Sequence, residues 1–276
     1  MDEQKLSMLK EKARIIRRHV VNMIGVGHTG HLGGSCSSAD IVAALYFGKM
    51  KTDPCNPKNE DRDRFLLSKG HAALIQYAAL AEAGYFPLEE LPKVKTLGAM
   101  LQGHPDINKT PGVEANTGSL GQGLSIANGM ALALRLNKSP RRVYVIMGDG
   151  EMAEGQIWEA AMASSNFKLD NLTAILDKNN LQAMGAVRDR FDTNPIVPKW
   201  QAFGWNTIEI DGHDFEQILN ALDEAEKTKG NPTVIIANTV KGKGVSFAEN
   251  VVGFHNGMMT QEQFDKANME LGEAAK

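Results

Sequence analysis

Val143-Tyr144-Val145-Ile146-Met147-Gly148-Asp149-Gly150, followed thirty positions after its Asp by Asn179-Asn180, is the stretch that decides how this chain folds. Its first five residues are β-prone and continuously apolar, not alternating, which predicts a strand buried on both faces. Gly148-Asp149-Gly150 ends that strand, and a helix is predicted over 155–165. Residues 172–176 repeat the apolar pattern and run into Asp177-Lys178-Asn179-Asn180. Further strands are predicted at 64–67, 206–210 and 233–240, with a helix over 215–227. Strand–helix–strand alternation with such strands predicts an α/β protein, a mainly parallel sheet in a three-layer α/β/α sandwich. Ligands of such sheets sit beyond the carboxyl ends of the strands. Both polar clusters, 148–150 and 177–180, fall there.

Outward from this centre the pattern is simpler. Leu6, Leu9, Ala13, Ile16, Val20 and Met23 recur at three- and four-residue steps, one apolar stripe of an N-terminal helix. A Gly-rich stretch, 25–34, ends it. A second helix is expected to have a capped start at Ser37-Ser38-Ala39-Asp40 and its body over 41–47. Ser68-Lys69-Gly70-His71 leads into an Ala-rich helix that stops near Gly84, and residues after about 262 read as a fraying helix. No internal repeat, low-complexity tract or linker interrupts the chain, so one domain over 1–276 is expected. Hydrophobic content of 42% supports a sizeable core, and net charge is -3 with no basic stripe, against nucleic acid as main ligand. Cys36 and Cys55 are too few for a disulfide framework and lack zinc spacing, so both read as reduced thiols. No apolar run reaches the roughly 18 residues of a membrane helix, and the mixed-charge start is unlike a transit peptide. A cytoplasmic protein is expected.

Asp149 and Asn179 end neighbouring strands and can therefore meet. One carboxylate with one amide oxygen suits Mg²⁺ or Ca²⁺, hard cations that also accept phosphate oxygens. Gly148 and Gly150 allow a tight turn with N–H groups close to an anion, and the helix beginning near Glu154 adds its positive end. An ordinary βα turn with Asp as helix cap would explain Gly-Asp-Gly alone; the Asn pair at this spacing argues against it.

Gly-Asp-Gly, about thirty residues, then Asn-Asn resembles the signature of thiamin-diphosphate enzymes. Four further stretches are similar to the transketolase family: Thr29-Gly30-His31, Ser68-Lys69-Gly70-His71-Ala72, Gln102-Gly103-His104-Pro105 and Asn116-Thr117-Gly118-Ser119-Leu120-Gly121-Gln122-Gly123. The resemblance runs from about residue 10 to 257. It implies the thiamin-diphosphate-binding fold, with Asp149, Asn179 and the Leu181 carbonyl as metal ligands. Implied cofactor contacts are His71, Gly118, Leu120, Gly148, Asp149, Gly150, Glu154, Asn179 and His255. Implied channel residues handling sugar hydroxyl protons are His31, His71, His104 and His255, a task that suits imidazole near neutral pH. Glu154 also matches a subunit-interface glutamate in a proton-sharing network; a plain helix-N-terminal carboxylate explains it equally well. The implied reaction moves a two-carbon ketol unit from a ketose (phosphate) to an aldose (phosphate).

The family's second domain, which binds the cofactor's aminopyrimidine and carries most sugar-phosphate-binding Arg residues, is missing here. A C-terminal partner subunit, two copies of each chain, is therefore expected; Met1 and the charged tail favour a natural split over a truncation. Leu32 and Ser119 stand where fused transketolases usually carry Pro, Asn180 where they often carry Gly, and Phe254-His255-Asn256-Gly257 departs from the family's His-Gly pair. Gly25-Val26-Gly27-His28-Thr29-Gly30 satisfies the dinucleotide pattern, but a helix precedes it where that fingerprint needs a strand. An idle binding-only subunit is disfavoured by the retained Asp149, Asn179 and histidines, and a 2-oxoacid dehydrogenase α-subunit by the histidine loops. Of the remaining histidines, His213 is expected in a turn capping the next helix, His19 on a helix surface, and His28 has no assigned role.

Overall fold

The computed structural model describes residues 2–272. In chain order the elements are α1 (Glu3–Ile24), α2 (Leu32–Ser37), α3 (Ala39–Ala44), β1 (Arg64–Leu67), α4 (Ala73–Glu82), α5 (Gly123–Leu136), β2 (Val143–Gly148), α6 (Gly155–Asn166) and β3 (Leu172–Lys178). A short hairpin follows, β4 (Leu181–Gln182) and β5 (Gly185–Ala186), then α7 (Val187–Arg190), α8 (Ile196–Ala202), β6 (Asn206–Asp211), α9 (Phe215–Lys227), β7 (Thr233–Asn238) and α10 (Gln261–Glu270). The five long strands form one sheet in the order β1-β2-β3-β7-β6, every pair parallel.

Side-chain alternation within the continuous apolar strands explains the layers. Tyr144 and Ile146 of β2 join the core that contains Leu9, Ile16, Ile41, Tyr77 and Leu222 from α1, α3, α4 and α9. Val143, Val145 and Met147 face the other way, into the core made with Leu124, Ile157 and Trp200 from α5, α6 and α8. Each fully buried Val or Ile contributes roughly 1.5–3 kcal/mol, so a charge at position 145 or 146 would break the sheet's centre. The stripe on α1 buries Leu9, Ala13, Ile16, Val20 and Met23 as its spacing requires. Asp2 caps that helix through the Lys5 N–H at 2.6 Å, and Gly25, at φ 65°, ends it.

Register brings the strand ends level. Gly148 pairs with Asp177, and Lys178 with Asn238, so Asp149, Asn179 and the segment after β7 emerge side by side. The loop after β1 joins them from the neighbouring strand.

Three boundaries differ from expectation. A helix does start at Ala39 with Ser38 in the cap position, but a short helix, α2, already begins at Leu32, because Gly33 and Gly34 serve close packing and do not break the chain: a Cβ on Gly33 would lie 2.9 Å from Lys241 Cγ. Ser37 caps nothing; its hydroxyl donates to Asp177 Oδ2 at 2.6 Å. Strand β7 stops at Asn238, before 240, since the Thr239 hydroxyl and the Val240 N–H turn to Asp177 and His213. The C-terminal segment is a regular helix through Glu270, held by a capping box of Thr260 and Gln263; residues 273–276 lie outside the described residues. His19 is no free surface residue, because its Nε2 lies 2.8 Å from Glu82 and ties α1 to α4. Among the described residues no helix is long and apolar enough to cross a membrane.

Candidate active site

A cleft of about 240 Å³ opens at the carboxyl edge of the sheet. Its walls include His71, Leu120, Gly148, Asp149, Gly150, Glu154, Asn179, Leu181 and His255. Lys69, Glu151 and Lys241 stand among them.

The floor is polar and heavily cross-bonded. Asp149 accepts from the Gly150 N–H at 2.8 Å and the Asn180 N–H at 2.5 Å. Its pKa is pushed up to about 6, first by burial and then by the Asp177 charge. Asn179 donates from Nδ2 to Asp177 Oδ2 at 3.1 Å, and its Oδ1 accepts from the Leu181 N–H at 3.1 Å. Asp177 is the hub, bonded also to Ser37, Thr239 and the Lys69 ammonium at 2.5 Å. Burial alone would raise its pKa, but the Lys69 charge and the hydroxyl donors hold it below the usual carboxylate range. Lys69 also donates to the Gly34 carbonyl at 2.7 Å.

Lys241 donates to the Leu181 carbonyl at 2.7 Å and lies 3.0 Å from His255 Nδ1. Burial, with Lys69 next, lowers it to about 8. Glu151 stitches three loops together, accepting from the Ser68 hydroxyl at 2.5 Å, the Gly121 N–H at 2.8 Å and the Gly148 N–H at 3.1 Å. Burial raises its pKa.

Three imidazoles form a triangle over this floor. His31, His71 and His255 have ring centroids 5.1, 5.5 and 5.1 Å apart. Their loops meet because Gly30 and Gly257 pair as an antiparallel bridge, with N–H···O distances of 3.0 and 3.1 Å. Burial foremost, then Lys95 for His31 and Lys241 for His255, holds both at about 4, and burial with Lys69 holds His71 at about 2. All three are therefore neutral at pH 7, each offering one donor and one acceptor nitrogen. A histidine depressed in the fold stays unprotonated where the unfolded chain binds a proton. Its contribution is thus complete above the unfolded value of about 6.5 and declines as pH falls toward the folded value. Urea titrations should show the wild type losing roughly 1.4 kcal/mol per pH unit more than His71→Gln below about pH 6.5. Parallel curves would show that His71 is not held neutral.

His104 stands apart from the triangle and is exposed. Its ring packs on Gly118, where a Cβ would come 2.5 Å from Cδ2 at a φ of 137° that favours glycine. Gly70 likewise admits the 117–118 backbone, with Gly118 N 2.6 Å from where its Cβ would be. Glu154 begins α6 without capping it and is exposed on the rim, its Cβ against Gly121. His213 lies in the expected turn, whose Asp214 caps α9, and its ring in addition bonds Asp40 and the Val240 N–H.

Sequence reasoning brought most of this cleft together but passed over Lys241, Asp177 and Glu151. Asp177 sat inside the quoted strand-end cluster, and Glu151 directly follows Gly-Asp-Gly. Lys241 gave only its place just beyond a predicted strand.

An anion-sized cleft with flanking cations at the carboxyl edge of a parallel sheet defines a phosphate-cofactor α/β protein. Residues 8–276 match the family described as transketolase, thiamine diphosphate binding domain. The chain belongs to the transketolase family, a thiamin-diphosphate-dependent group of transferases. It is 45% identical over 271 residues to the 6-deoxy-6-sulfo-D-fructose transketolase subunit SqwG of Clostridium sp. (strain MSTE9), covering 98% of each chain. It is 40% identical over 273 residues to an apulose-4-phosphate transketolase subunit of Phocaeicola vulgatus, covering 99% of this chain and 96% of that one. The crystal structure of Campylobacter jejuni transketolase superposes with a TM-score of 0.91 at 34% identity, over 99% of this chain and 43% of that one. The chain thus spans less than half the length of the fused enzyme, and nearly the whole of the two subunits.

Proposed function

We propose that this chain, acting as one domain over 1–276, is the diphosphate-binding subunit of a two-chain transketolase. It would move a two-carbon ketol unit from a ketose to an aldose with a C-terminal partner subunit, two copies of each. The observation that carries this reading is that Asp149, Asn179 and Leu181 line one cleft together with the neutral His71 and His255. The close relatives of matching length are named as subunits, which supports a partner. Both are named for compounds bearing an acidic group, a sulfo group or a phosphate, which favours an anionic ketose here.

The donor set fits a divalent cation with a diphosphate. Among the described residues no three His, Cys, Asp or Glu side chains converge as a metal cluster. A set of one carboxylate, one amide and one backbone carbonyl is instead typical of Mg²⁺ or Ca²⁺ that takes further oxygens from phosphate. Asp149, buried beside Asp177 with no cation bonded to it, is the group such an ion would neutralise. Lys241 and His71 flank the diphosphate position, with Gly118, Leu120, Gly148, Gly150 and His255 around it.

Bound thiamin diphosphate supplies the electron sink for breaking the ketose carbon–carbon bond. The chain supplies position and proton transfer. Neutral His31 and His71 can each accept a proton from a sugar hydroxyl at one nitrogen while donating from the other, whereas His255, whose Nδ1 accepts from the Lys241 ammonium, offers its Nε2–H as a donor. His104, exposed, is available to the sugar. Glu154 on the exposed rim is available to a partner.

His31→Ala and His104→Ala should each lower kcat/KM by about 10²-fold, the range of general acid–base work. Affinity for thiamin diphosphate should stay nearly unchanged. The measurement is steady-state kinetics of the reconstituted pair with a panel of ketose donors, which also identifies the substrate. Unchanged kcat/KM in both variants would remove these histidines from the mechanism.

A further inference from the structure

Arg17, Asp40 and His213 form a buried relay that no cofactor or substrate role accounts for. Arg17 of α1 donates from both terminal nitrogens to Asp40 of α3, at 2.9 and 2.5 Å, and from Nε to the Cys36 carbonyl at 3.3 Å. Asp40 Oδ2 lies 2.7 Å from His213 Nδ1, and His213 Nε2 lies 2.8 Å from the Val240 nitrogen. A backbone N–H can only donate, so Nε2 is the acceptor. The ring proton therefore sits on Nδ1, aimed at the Asp40 carboxylate. Arginine fixes the carboxylate, the carboxylate fixes the tautomer, and the tautomer fixes Val240.

The next residue is Lys241, whose ammonium reaches the Leu181 carbonyl and His255 inside the cleft. The turn that carries it has left the sheet at Asn238. It is held by the Thr239 hydroxyl on Asp177, the Gly242 N–H on the Gly33 carbonyl at 3.0 Å, and the His213 bond between them. Without that bond, the N–H immediately before the lysine has no acceptor. We propose that His213, oriented by Asp40 and Arg17, is a positioning residue that sets Lys241 for the cofactor diphosphate. This inference rests on the diphosphate reading of the cleft.

Substitution separates the two ends of the ring. His213→Gln places an amide oxygen near the Nε2 position and keeps an acceptor for Val240. His213→Asn reaches only the Nδ1 position and loses it. Both forfeit half of the relay, so a purely structural role would lower their thermal midpoints and their cofactor affinities in parallel. The proposal expects similar midpoints but different affinities. By isothermal titration of the full chain with thiamin diphosphate and Mg²⁺, His213→Asn should bind about tenfold more weakly, the size of one lost hydrogen bond. His213→Gln should stay within about twofold of wild type. In a Lys241→Met background, His213→Asn should cost nothing further, because its effect passes through the lysine. Amide exchange at Val240 should accelerate about tenfold in His213→Asn and not in His213→Gln. Additive affinity losses in the double variant, or unchanged Val240 exchange in His213→Asn, would overturn the relay. A wild-type chain that binds no thiamin diphosphate even with its partner subunit present would overturn the diphosphate reading instead, while the exchange measurement still judges the bond to Val240.

Discussion

Asp149→Asn should abolish cofactor-dependent activity while leaving the metal-free chain at least as stable as wild type. The two effects have opposite signs because the carboxylate is a liability to the fold and an asset to the site. Burial and Asp177 raise Asp149 to about 6, so its charged form is disfavoured in the fold relative to the unfolded chain. A carboxylate shifted upward costs nothing below the unfolded value near 4, and its cost grows as pH rises toward 6. At pH 7 that cost is about 3 kcal/mol. The amide relieves it and keeps one acceptor oxygen for the Gly150 or Asn180 N–H, losing about 1 kcal/mol for the other. The thermal midpoint of the metal-free chain should therefore rise by a few degrees. Affinity for the thiamin diphosphate–Mg²⁺ pair should fall by about a hundredfold or more, since the only formal charge of the donor set is gone. Asn179→Ala should show the same loss of affinity with a lowered midpoint, because it strips bonds from both Asp177 and the Leu181 N–H. Normal activity at ordinary cofactor concentration in either variant would show that the metal is held elsewhere.

What was legible in the sequence follows from what is local. The strands announced themselves because burial on both faces demands continuous apolar runs, and Phe215–Lys227 because its stripe and its Asp214 cap lie in one short window. Asp149 and Asn179 could be paired across thirty residues because parallel register brings neighbouring strand ends level. The errors fall where a distant partner overrides a local signal. A helix does start at Ala39 as the sequence suggests, yet the Ser37 and Asp40 side chains do not cap it, being taken by Asp177 and Arg17. Gly33-Gly34 looks like a break, yet Lys241 packs on it. His213 sits in the expected turn, but its ring in addition serves a bond to Val240, 27 residues away. Lys241 carried no motif of its own; only the packed fold shows its ammonium on the Leu181 carbonyl.

The largest effect is expected from the proposed partner subunit. The cleft is lined by Asp149, Asn179, Lys69 and Lys241, groups suited to a metal and a diphosphate, and the proposed partner would face the cofactor's aminopyrimidine. Met184, 72% exposed, lies in the turn of the β4–β5 hairpin whose Leu181, Gln182 and Ala183 line the cleft, and Phe191, 61% exposed, ends the α7 that follows that hairpin. Apolar side chains around a polar functional cleft are the mark of a surface that is covered in the working assembly. The purified chain alone should therefore bind thiamin diphosphate weakly and show no ketol transfer. Activity should appear on mixing with a second polypeptide of roughly 300 residues, a length typical of the complementary domains. Sedimentation of the mixture should give two copies of each chain, and Met184→Glu or Phe191→Glu should weaken that assembly by about tenfold or more, as a charge set into a desolvated contact does. Substantial transketolase activity from this chain freed of every co-purifying protein would overturn the two-subunit reading. An unaltered assembly in both glutamate variants would move the interface away from the cleft.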